Sequence, residues 1–123
     1  DATDNLHARY LINDACVKLG KPFVYGSICE FSGQVSVFNY QNGPTYRDLF
    51  EYNDEIENFS QPLGVIGALP GIVGSLQANE AIKIILEKPG ILSGKLLTID
   101  ILNNTYLTFA IRKKERGEES LFK

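Results

Sequence analysis

The chain has 123 residues, of which 44% are hydrophobic and 11% aromatic, so it is long enough for one domain with a sizeable core. Its net charge is −3, and its 12 basic residues form no patch outside the last dozen positions, which argues against nucleic acid as a partner. Cys16 and Cys29 lie in apolar segments without C-x-x-C spacing. This pattern predicts buried, reduced thiols in a cytoplasmic protein and no zinc site.

Residues 1–19 carry the signals of a capped helix. Thr3, Asp4 and Asn5 can each accept a hydrogen bond from a free N–H group of the first turn, and Gly20 is placed to end the helix. The apolar line of the helix consists of Leu11, Ala15 and Leu19, with Ile12 and Cys16 beside it. The chain opens abruptly on this helix signal, without a signal peptide, so we expect it to be a piece of a longer protein.

Four strands are predicted in two hairpins. Residues 23–29 form a buried run and residues 34–40 alternate apolar and polar side chains, with residues 30–33 between them. Residues 95–102 and 105–112 form the second pair around Asn103 and Asn104, which tolerate the positive φ of a two-residue turn. Between the hairpins, residues 41–62 lack periodicity, and a loop of this length is usually functional or mobile.

Residues 63–86 are the longest apolar run of the chain. Its small residues are spaced alternately by three and four, which puts them on one stripe of a helix: Gly64, Gly67, Gly71, Gly74, Ala78 and Ala81. Either this stripe packs against a neighbouring backbone, or the helix begins near Pro70 with the first two glycines in the entering loop. Most of the helix is expected to be buried. A membrane span over residues 59–79 is the less favoured alternative, because the run contains polar amides and two prolines and continues directly into charged residues.

The order helix, two strands, loop, helix, two strands predicts an α/β fold. We expect a mixed sheet with antiparallel hairpins and two main helices. Two helices over four strands would leave one sheet face thinly covered, which again points to additional upstream chain. Residues 113–123 mix charges of both signs and are expected to be a tail or linker.

Three motifs follow one another along the chain. They are D-x-T-D-N at residues 1–5 with Arg9, G-Q-V-x-V-F at 33–38 leading to G-P-x-Y-R at 43–47, and G-V-x-G at 64–67 leading to G-x-x-G-S-L-Q-A-x-E-A-I-K at 71–83. In this order and spacing they resemble the MoeB/ThiF/HesA family of E1-like enzymes. The resemblance implies that residues 1–112 are the C-terminal portion of a Rossmann-like ThiF/MoeB-type adenylating domain, with residues 41–62 as its crossover loop.

Members of this family bind Mg-ATP and adenylate the C-terminal Gly-Gly carboxylate of a ubiquitin-like sulfur carrier protein, and they are commonly homodimers. The resemblance implies that Asp4 is the catalytic aspartate and a magnesium ligand beside ATP, with Asn5 next to it in the nucleotide pocket. A carboxylate suits this role because magnesium takes one or two carboxylates together with phosphate oxygens. Without the resemblance, a simple helix cap is the favoured interpretation of Asp4.

The chain departs from the family at several positions. Thr45 and Asp48 occupy the places of a first zinc-binding cysteine pair, and no second pair follows Arg112, so zinc is not expected. Ser60 stands where some relatives have a reactive cysteine, and a hydroxyl is a poor substitute for a thiolate without an activating base. The family's phosphate-binding loop is absent, and no G-x-G-x-x-G occurs here. We therefore expect no ATP turnover by this chain alone.

Several interpretations stay open at this point. Arg9 either reaches an anionic group near the turn or pairs with a neighbouring carboxylate such as Asp14. His7 is expected to be exposed or at a pocket edge. Residues 46–59 either cover the carrier's tail or form a solvated connection. The chain is part of an adenylyltransferase of the molybdopterin or thiamine type, or it is a non-catalytic carrier-binding or dimerisation module.

Overall fold

The computed structural model describes residues 1–52 and 64–114. In chain order these form α1 (Leu6–Leu19), β1 (Phe23–Cys29), β2 (Ser32–Phe38), α2 (Tyr46–Leu49), α3 (Ala68–Ile85), β3 (Lys95–Asp100) and β4 (Thr105–Ala110). The strands make one sheet in the order β1-β2-β3-β4, and all three ladders are antiparallel. The predicted α/β class, its antiparallel hairpins and its two main helices are confirmed.

Helix α1 has the bounds that its caps predict. The side-chain oxygen of Asn5 accepts the Ala8 N–H at 2.7 Å, and Gly20 adopts a left-handed conformation with φ of 64°. The Gly20 N–H donates to the carbonyls of the last turn, as a C-terminal glycine cap does.

The face that α1 buries agrees only in part with the predicted one, because Ile12 and Cys16 pack against the core but the line beside them does not. Leu11 is 58% exposed and Leu19 is 68% exposed, whereas Tyr10 and Asn13 are buried. The Asn13 side-chain oxygen accepts the Tyr46 N–H at 2.9 Å, so burying this polar residue leaves its oxygen satisfied. The buried face of α1 instead combines the packed ring of Tyr10 with the hydrogen bond of Asn13.

Both hairpins lie where they were predicted, but the lengths of their turns differ. Cys29 pairs with Ser32, so residues 30 and 31 alone make the first turn and β2 lies two residues earlier than expected. In the second hairpin Asp100 pairs with Thr105, which leaves a four-residue loop where a two-residue turn at Asn103 and Asn104 was predicted. The Asp100 carboxylate accepts the Asn103 N–H at 3.2 Å and so closes the loop.

A one-turn helix, α2, interrupts the predicted loop over residues 41–62. The Thr45 N–H and hydroxyl both donate to the Asp48 carboxylate, at 2.7 and 3.2 Å, and this pair starts the helix. The rest of that loop from residue 53 onward, with Ser60, and most of the tail over residues 113–123 lie outside the described residues.

Helices cover both faces of the sheet. On one face α1 and α2 pack on a cluster of aromatic and aliphatic side chains: Tyr10, Phe23, Tyr25, Phe38, Tyr46, Leu96 and Ile111. On the other face α3 packs on β1 and β2, and its Leu69 and Val73 share a cluster with Val35 of β2 and Ile99 of β3. The thinly covered part of the sheet is the strand β4, in which all six residues are exposed, and not one whole face of the sheet as predicted.

Helix α3 begins at Ala68, so Pro70 lies in the first turn and Gly64 and Gly67 precede the helix. This confirms the second of the two interpretations of the glycine run. The expectation of a mostly buried helix is wrong, because its only fully buried residues are Leu69, Val73 and Glu80. In the described part of the chain, no helix is long and apolar enough to span a bilayer.

The close approach between α3 and the sheet depends on strand glycines rather than helix glycines. A Cβ atom built on Gly71 or Gly74 would have no neighbour within 4 Å. A Cβ on Gly33 would lie 2.6 Å from Val73 Cγ2, and one on Gly26 would lie 2.3 Å from the Gln77 side chain. The sheet therefore supplies the gap into which α3 fits.

Glu80 is the one charged side chain that α3 buries. Its carboxylate accepts the Leu92 N–H at 2.9 Å and forms an ion pair with Lys83. Lys83 in turn donates to the Gly90 carbonyl at 2.8 Å. These contacts hold the connection between α3 and β3 and compensate the burial of the charge.

Candidate functional site

The turn at residues 1–5 precedes α1 and is fixed by its own side chains. The Asp1 carboxylate accepts the Thr3 N–H at 2.8 Å and the Thr3 hydroxyl at 2.6 Å, while Asn5 caps the helix. Asp4 lies between them with an exposed side chain. Among the described residues, no hydrogen bond or ion pair engages its carboxylate. Asn5 is therefore the residue that caps α1, and the Asp4 side chain is exposed.

Arg9 resolves one of the open alternatives. Its side chain is 11% exposed, its Nη2 donates to the Thr3 carbonyl at 3.2 Å, and its Nε lies 3.3 Å from Asp1 Oδ2. Asp14 instead forms a bidentate pair with Arg47, both contacts being 2.8 Å. Arg9 thus pairs with a neighbouring carboxylate, and that carboxylate is Asp1 rather than Asp14.

Gln77 ties the turn to the rest of the fold. Its amide nitrogen donates to the Asp1 carbonyl at 2.7 Å, and it lies 3.4 Å from the Val24 carbonyl of β1. Gly26 leaves room for this side chain, as described above. Gln77 was not predicted as a site residue, although an amide within an apolar helix was a signal that it serves a polar contact.

A cavity of about 730 Å³ opens beside Asp4, and we name it the turn cavity. It is bounded by the turn at residues 1–4, the second half of β1 and the first turns of α3. Cys29 lines it with an exposed thiol, which corrects the prediction that both cysteines are buried. A cavity of this size next to a helix N-terminus and an uncompensated carboxylate suits a phosphorylated ligand carrying a metal ion.

A second cavity of about 440 Å³ adjoins the first, and we name it the aromatic cavity. Five rings line it: Tyr10, Tyr25, Tyr46, Phe50 and Tyr52. Burial in this cluster raises the pKa of Tyr46 to about 12, and the neighbouring Tyr25 contributes in the same direction while Arg9 opposes it. Arg9 and Ser27 line both cavities.

The raised pKa of Tyr46 predicts a loss of stability in alkali. Because the unfolded tyrosine ionises near 10.0 and the folded one near 12, its contribution is intact below pH 10 and is lost as the pH rises towards 12. A tyrosinate absorbance titration of the folded protein should show a late step that the Tyr46→Phe variant lacks. An identical titration curve for that variant would contradict the assignment.

The model of the ThiF family matches residues 1–120. The chain belongs to the ThiF family. A probable molybdopterin-synthase adenylyltransferase of Pyropia yezoensis is 49% identical over 114 residues, which cover 90% of this chain and 30% of that protein. The adenylyltransferase and sulfurtransferase MOCS3 of Dictyostelium discoideum is 46% identical over 120 residues, which cover 95% of this chain and 28% of that protein.

Solved structures share the fold of this ThiF-family chain. Escherichia coli MccB in complex with MccA has a TM-score of 0.75 at 13% identity, over 97% of this chain and 37% of that one. MccB with ATP has a TM-score of 0.69 at 12% identity, over 89% of this chain and 34% of that one. The chain thus spans about a third of the length of these relatives and neighbours.

Thr45 and Asp48, two positions at which this ThiF-family chain departs from the family's pattern, have a structural role. The Asp48 carboxylate accepts hydrogen bonds from Thr45 and also the Lys114 N–H, at 3.2 Å. It thereby joins α2 to the segment that follows β4. Across the described residues, no three His, Cys, Asp or Glu side chains are grouped so that they could hold a metal ion.

Proposed function

We propose that this chain is the C-terminal portion, over residues 1–112, of an ATP-dependent adenylyltransferase. In this proposal the whole enzyme activates the C-terminal Gly-Gly carboxylate of a ubiquitin-like sulfur carrier protein, and residues 113–123 form a tail or linker. The names of the relatives favour the molybdopterin type over the thiamine type. The observation that carries the proposal is the exposed Asp4 carboxylate, which does not cap α1 and lines the turn cavity.

The residues of the turn fit Mg-ATP. Asp4 offers a carboxylate at a helix start, and Asn5 uses its side-chain oxygen for the cap while its amide nitrogen can donate to the nucleotide. Magnesium bound there would neutralise charge on the phosphates. The carboxylate of the carrier attacks the α-phosphorus of ATP, and pyrophosphate leaves with the electrons of the broken P–O bond. In this proposal Asp4, which lines the turn cavity, orients the reacting phosphates, and Asn5 lies next to it in the chain.

The chain alone is not expected to perform this reaction, since it contains no phosphate-binding glycine loop. The remainder of the enzyme would supply that loop and its cationic residues. Free Cys16 and Cys29 thiols fit a cytoplasmic setting.

A second candidate is a carrier-binding or dimerisation module. Exposed apolar side chains favour it, because they occur at the C-terminal end of α3 and on β4: Ile82, Ile85 and the C-cap Leu86, and Tyr106, Leu107 and Phe109. A homodimer could cover one of these surfaces. Carrier binding and dimerisation without nucleotide binding by the full-length protein would favour this module over the enzyme.

The deciding experiment is ATP–pyrophosphate exchange by the full-length parent protein. We expect exchange that depends on a carrier ending in Gly-Gly, measured with molybdopterin-type and thiamine-type carriers side by side. A carrier whose last glycine is removed serves as the control and should support none. The isolated chain should show no exchange with any carrier. Absence of exchange by the parent with every carrier would overturn the proposal.

A further inference from the structure

Gln77 places an amide on the sheet-facing side of α3. It lies four residues after Val73 and three before Glu80, two of the residues that the helix buries, so all three share one face. Its Nε2 donates to the Asp1 carbonyl at 2.7 Å and lies 3.4 Å from the Val24 carbonyl. Both of these partners are acceptors, so the contact requires an N–H group at residue 77.

Gly26 of β1 makes room for this amide. A Cβ atom there would lie 2.3 Å from Gln77 Cδ, 2.4 Å from Oε1 and 2.5 Å from Nε2, so a methyl group would displace the whole amide. Since the strand leaves this gap, the Gln77 side chain can extend from α3 across Gly26 to the turn at residues 1–5.

Asp1 is the residue through which Gln77 contacts the turn. The Asp1 side chain is fully buried, and its carboxylate accepts the Thr3 N–H and lies 3.3 Å from Arg9 Nε. The Asp1 nitrogen donates to the Val24 carbonyl at 2.9 Å. The turn is thus held to α3 by Gln77, to α1 by Arg9 and to β1 by Val24.

Asp4 depends on this backbone for its position. Its own side chain is exposed, so packing does not fix it. Asp4 and Gln77 both line the turn cavity, Asp4 on the wall formed by the turn and Gln77 on the wall formed by α3. The hydrogen bond from Gln77 to Asp1 therefore connects these two walls three residues before the Asp4 carboxylate.

We propose that Gln77 is a positioning residue for Asp4. It fixes the separation between the turn and α3, and with it the place in the cavity where the Asp4 carboxylate meets a magnesium-bound phosphate. This role rests on the proposed function, which puts Mg-ATP in the turn cavity. Without the amide, the turn keeps its contacts with Arg9 and Val24, so the fold remains but the carboxylate loses its fixed distance from α3.

The Gln77→Glu variant removes the donor and keeps the shape of the side chain, because a carboxylate has no hydrogen to give to the Asp1 carbonyl. We expect the full-length variant to bind the magnesium complex of α,β-methylene ATP about tenfold more weakly than the unmodified protein at about pH 8. Hydrogen exchange at residues 1–8 of the nucleotide-free protein should also be faster in the variant. Asn79→Asp makes the same chemical change on the exposed side of α3 and should alter neither measurement.

Low pH should restore nucleotide binding by Gln77→Glu. The protonated carboxyl group has one O–H that can donate to the Asp1 carbonyl, so the difference in affinity should shrink to about twofold at about pH 5.5. The other titratable groups that line the cavity are common to both proteins: Asp1, Asp4, Arg9 and Cys29. Their titration therefore cancels in the ratio of the two affinities. A variant that was only less stable would not recover at low pH.

A double variant tests whether Gln77 acts through Asp4. In the Asp4→Asn background, Gln77→Glu should weaken binding by less than about twofold, because the carboxylate that Gln77 positions is already absent. Equal losses in the two backgrounds would overturn the inference. Unchanged affinity in a folded Gln77→Glu protein would overturn it as well, as would a loss that persists at about pH 5.5.

If Gln77→Glu does not fold, Gln77→Met provides the second test. Methionine keeps the length of the side chain without a donor, so this variant should bind the nucleotide at least about threefold more weakly. Unchanged affinity of Gln77→Met would overturn the inference. Failure of the unmodified full-length protein to bind the nucleotide would instead refute the proposed function.

Discussion

Replacement of Asp4 by asparagine should lower carrier-dependent ATP–pyrophosphate exchange by the full-length protein at least about 100-fold. Asparagine keeps the size of the side chain but removes the charge that would hold a magnesium ion beside the phosphates. Because the Asp4 side chain is exposed and does not cap α1, its replacement should leave the stability of the fold almost unchanged. Exchange rates and thermal unfolding of the same preparation measure the two effects.

Two matched variants separate charge from helix capping. Asn5→Asp keeps a side-chain oxygen for the Ala8 N–H, so it should fold normally. Glu87→Gln removes an exposed carboxylate far along the chain, after α3, and should retain full exchange. If Asp4→Asn kept more than half of the original rate, or lost it only together with the fold, Asp4 would not be the magnesium ligand.

Elements whose signals are local were predictable from the sequence. The start of helix α1 was predicted within three candidate caps, of which Asn5 is the one used, and its end was predicted at Gly20. Pro70 marked one of two possible starts of α3, because caps and prolines act on the backbone within one turn. Helix α2 was missed because four residues cannot show a period. Its signal was the spacing of Thr45 and Asp48, which is that of a capping box with aspartate in the third position.

Burial was less predictable than secondary structure. The apolar sequence of α3 predicted a covered helix, yet Ile82 is 53% exposed and Ile85 is 77% exposed. An apolar pattern states which side chains could be buried, whereas the tertiary contacts decide which of them are. The same limit applies to α1, in which Asn13 is buried and Leu11 is exposed. The hydrogen-bond partner of Asn13 is Tyr46, which lies 33 residues away in the sequence, so a local pattern could not indicate it.

The candidate site also contains residues that a local pattern can indicate and residues that it cannot. Asp4 and Asn5 were proposed from the resemblance of one contiguous motif, and their role stays a prediction. The aromatic cavity was not predicted, because Tyr10, Tyr25 and Tyr46 come from three separate elements and meet only through the sheet. Nor could spacing show that Arg9 turns towards Asp1 while Arg47 takes Asp14.

Gly33→Ala should be among the most destabilising single-methyl additions in this chain, at about 1–3 kcal/mol. The new Cβ would lie 2.6 Å from Val73 Cγ2, and the β-branched Val73 side chain has little rotamer freedom within a helix. Helix α3 would have to move away from β2, which would loosen the packing of Leu69 and Val73 as well. Chemical denaturation of the full-length protein measures the loss.

A helix glycine provides the control for that clash, and a double variant provides the decisive comparison. Gly71→Ala adds its methyl group where no atom lies within 4 Å, so it should stabilise the helix by up to about 1 kcal/mol. Val73→Ala creates a cavity by itself, but combined with Gly33→Ala it removes the clash, so the pair should cost less than the sum of the single variants. Strict additivity would show that β2 and α3 are not in contact at Gly33. Destabilisation by Gly71→Ala would instead show that the exposed stripe of α3 is covered in the full-length protein.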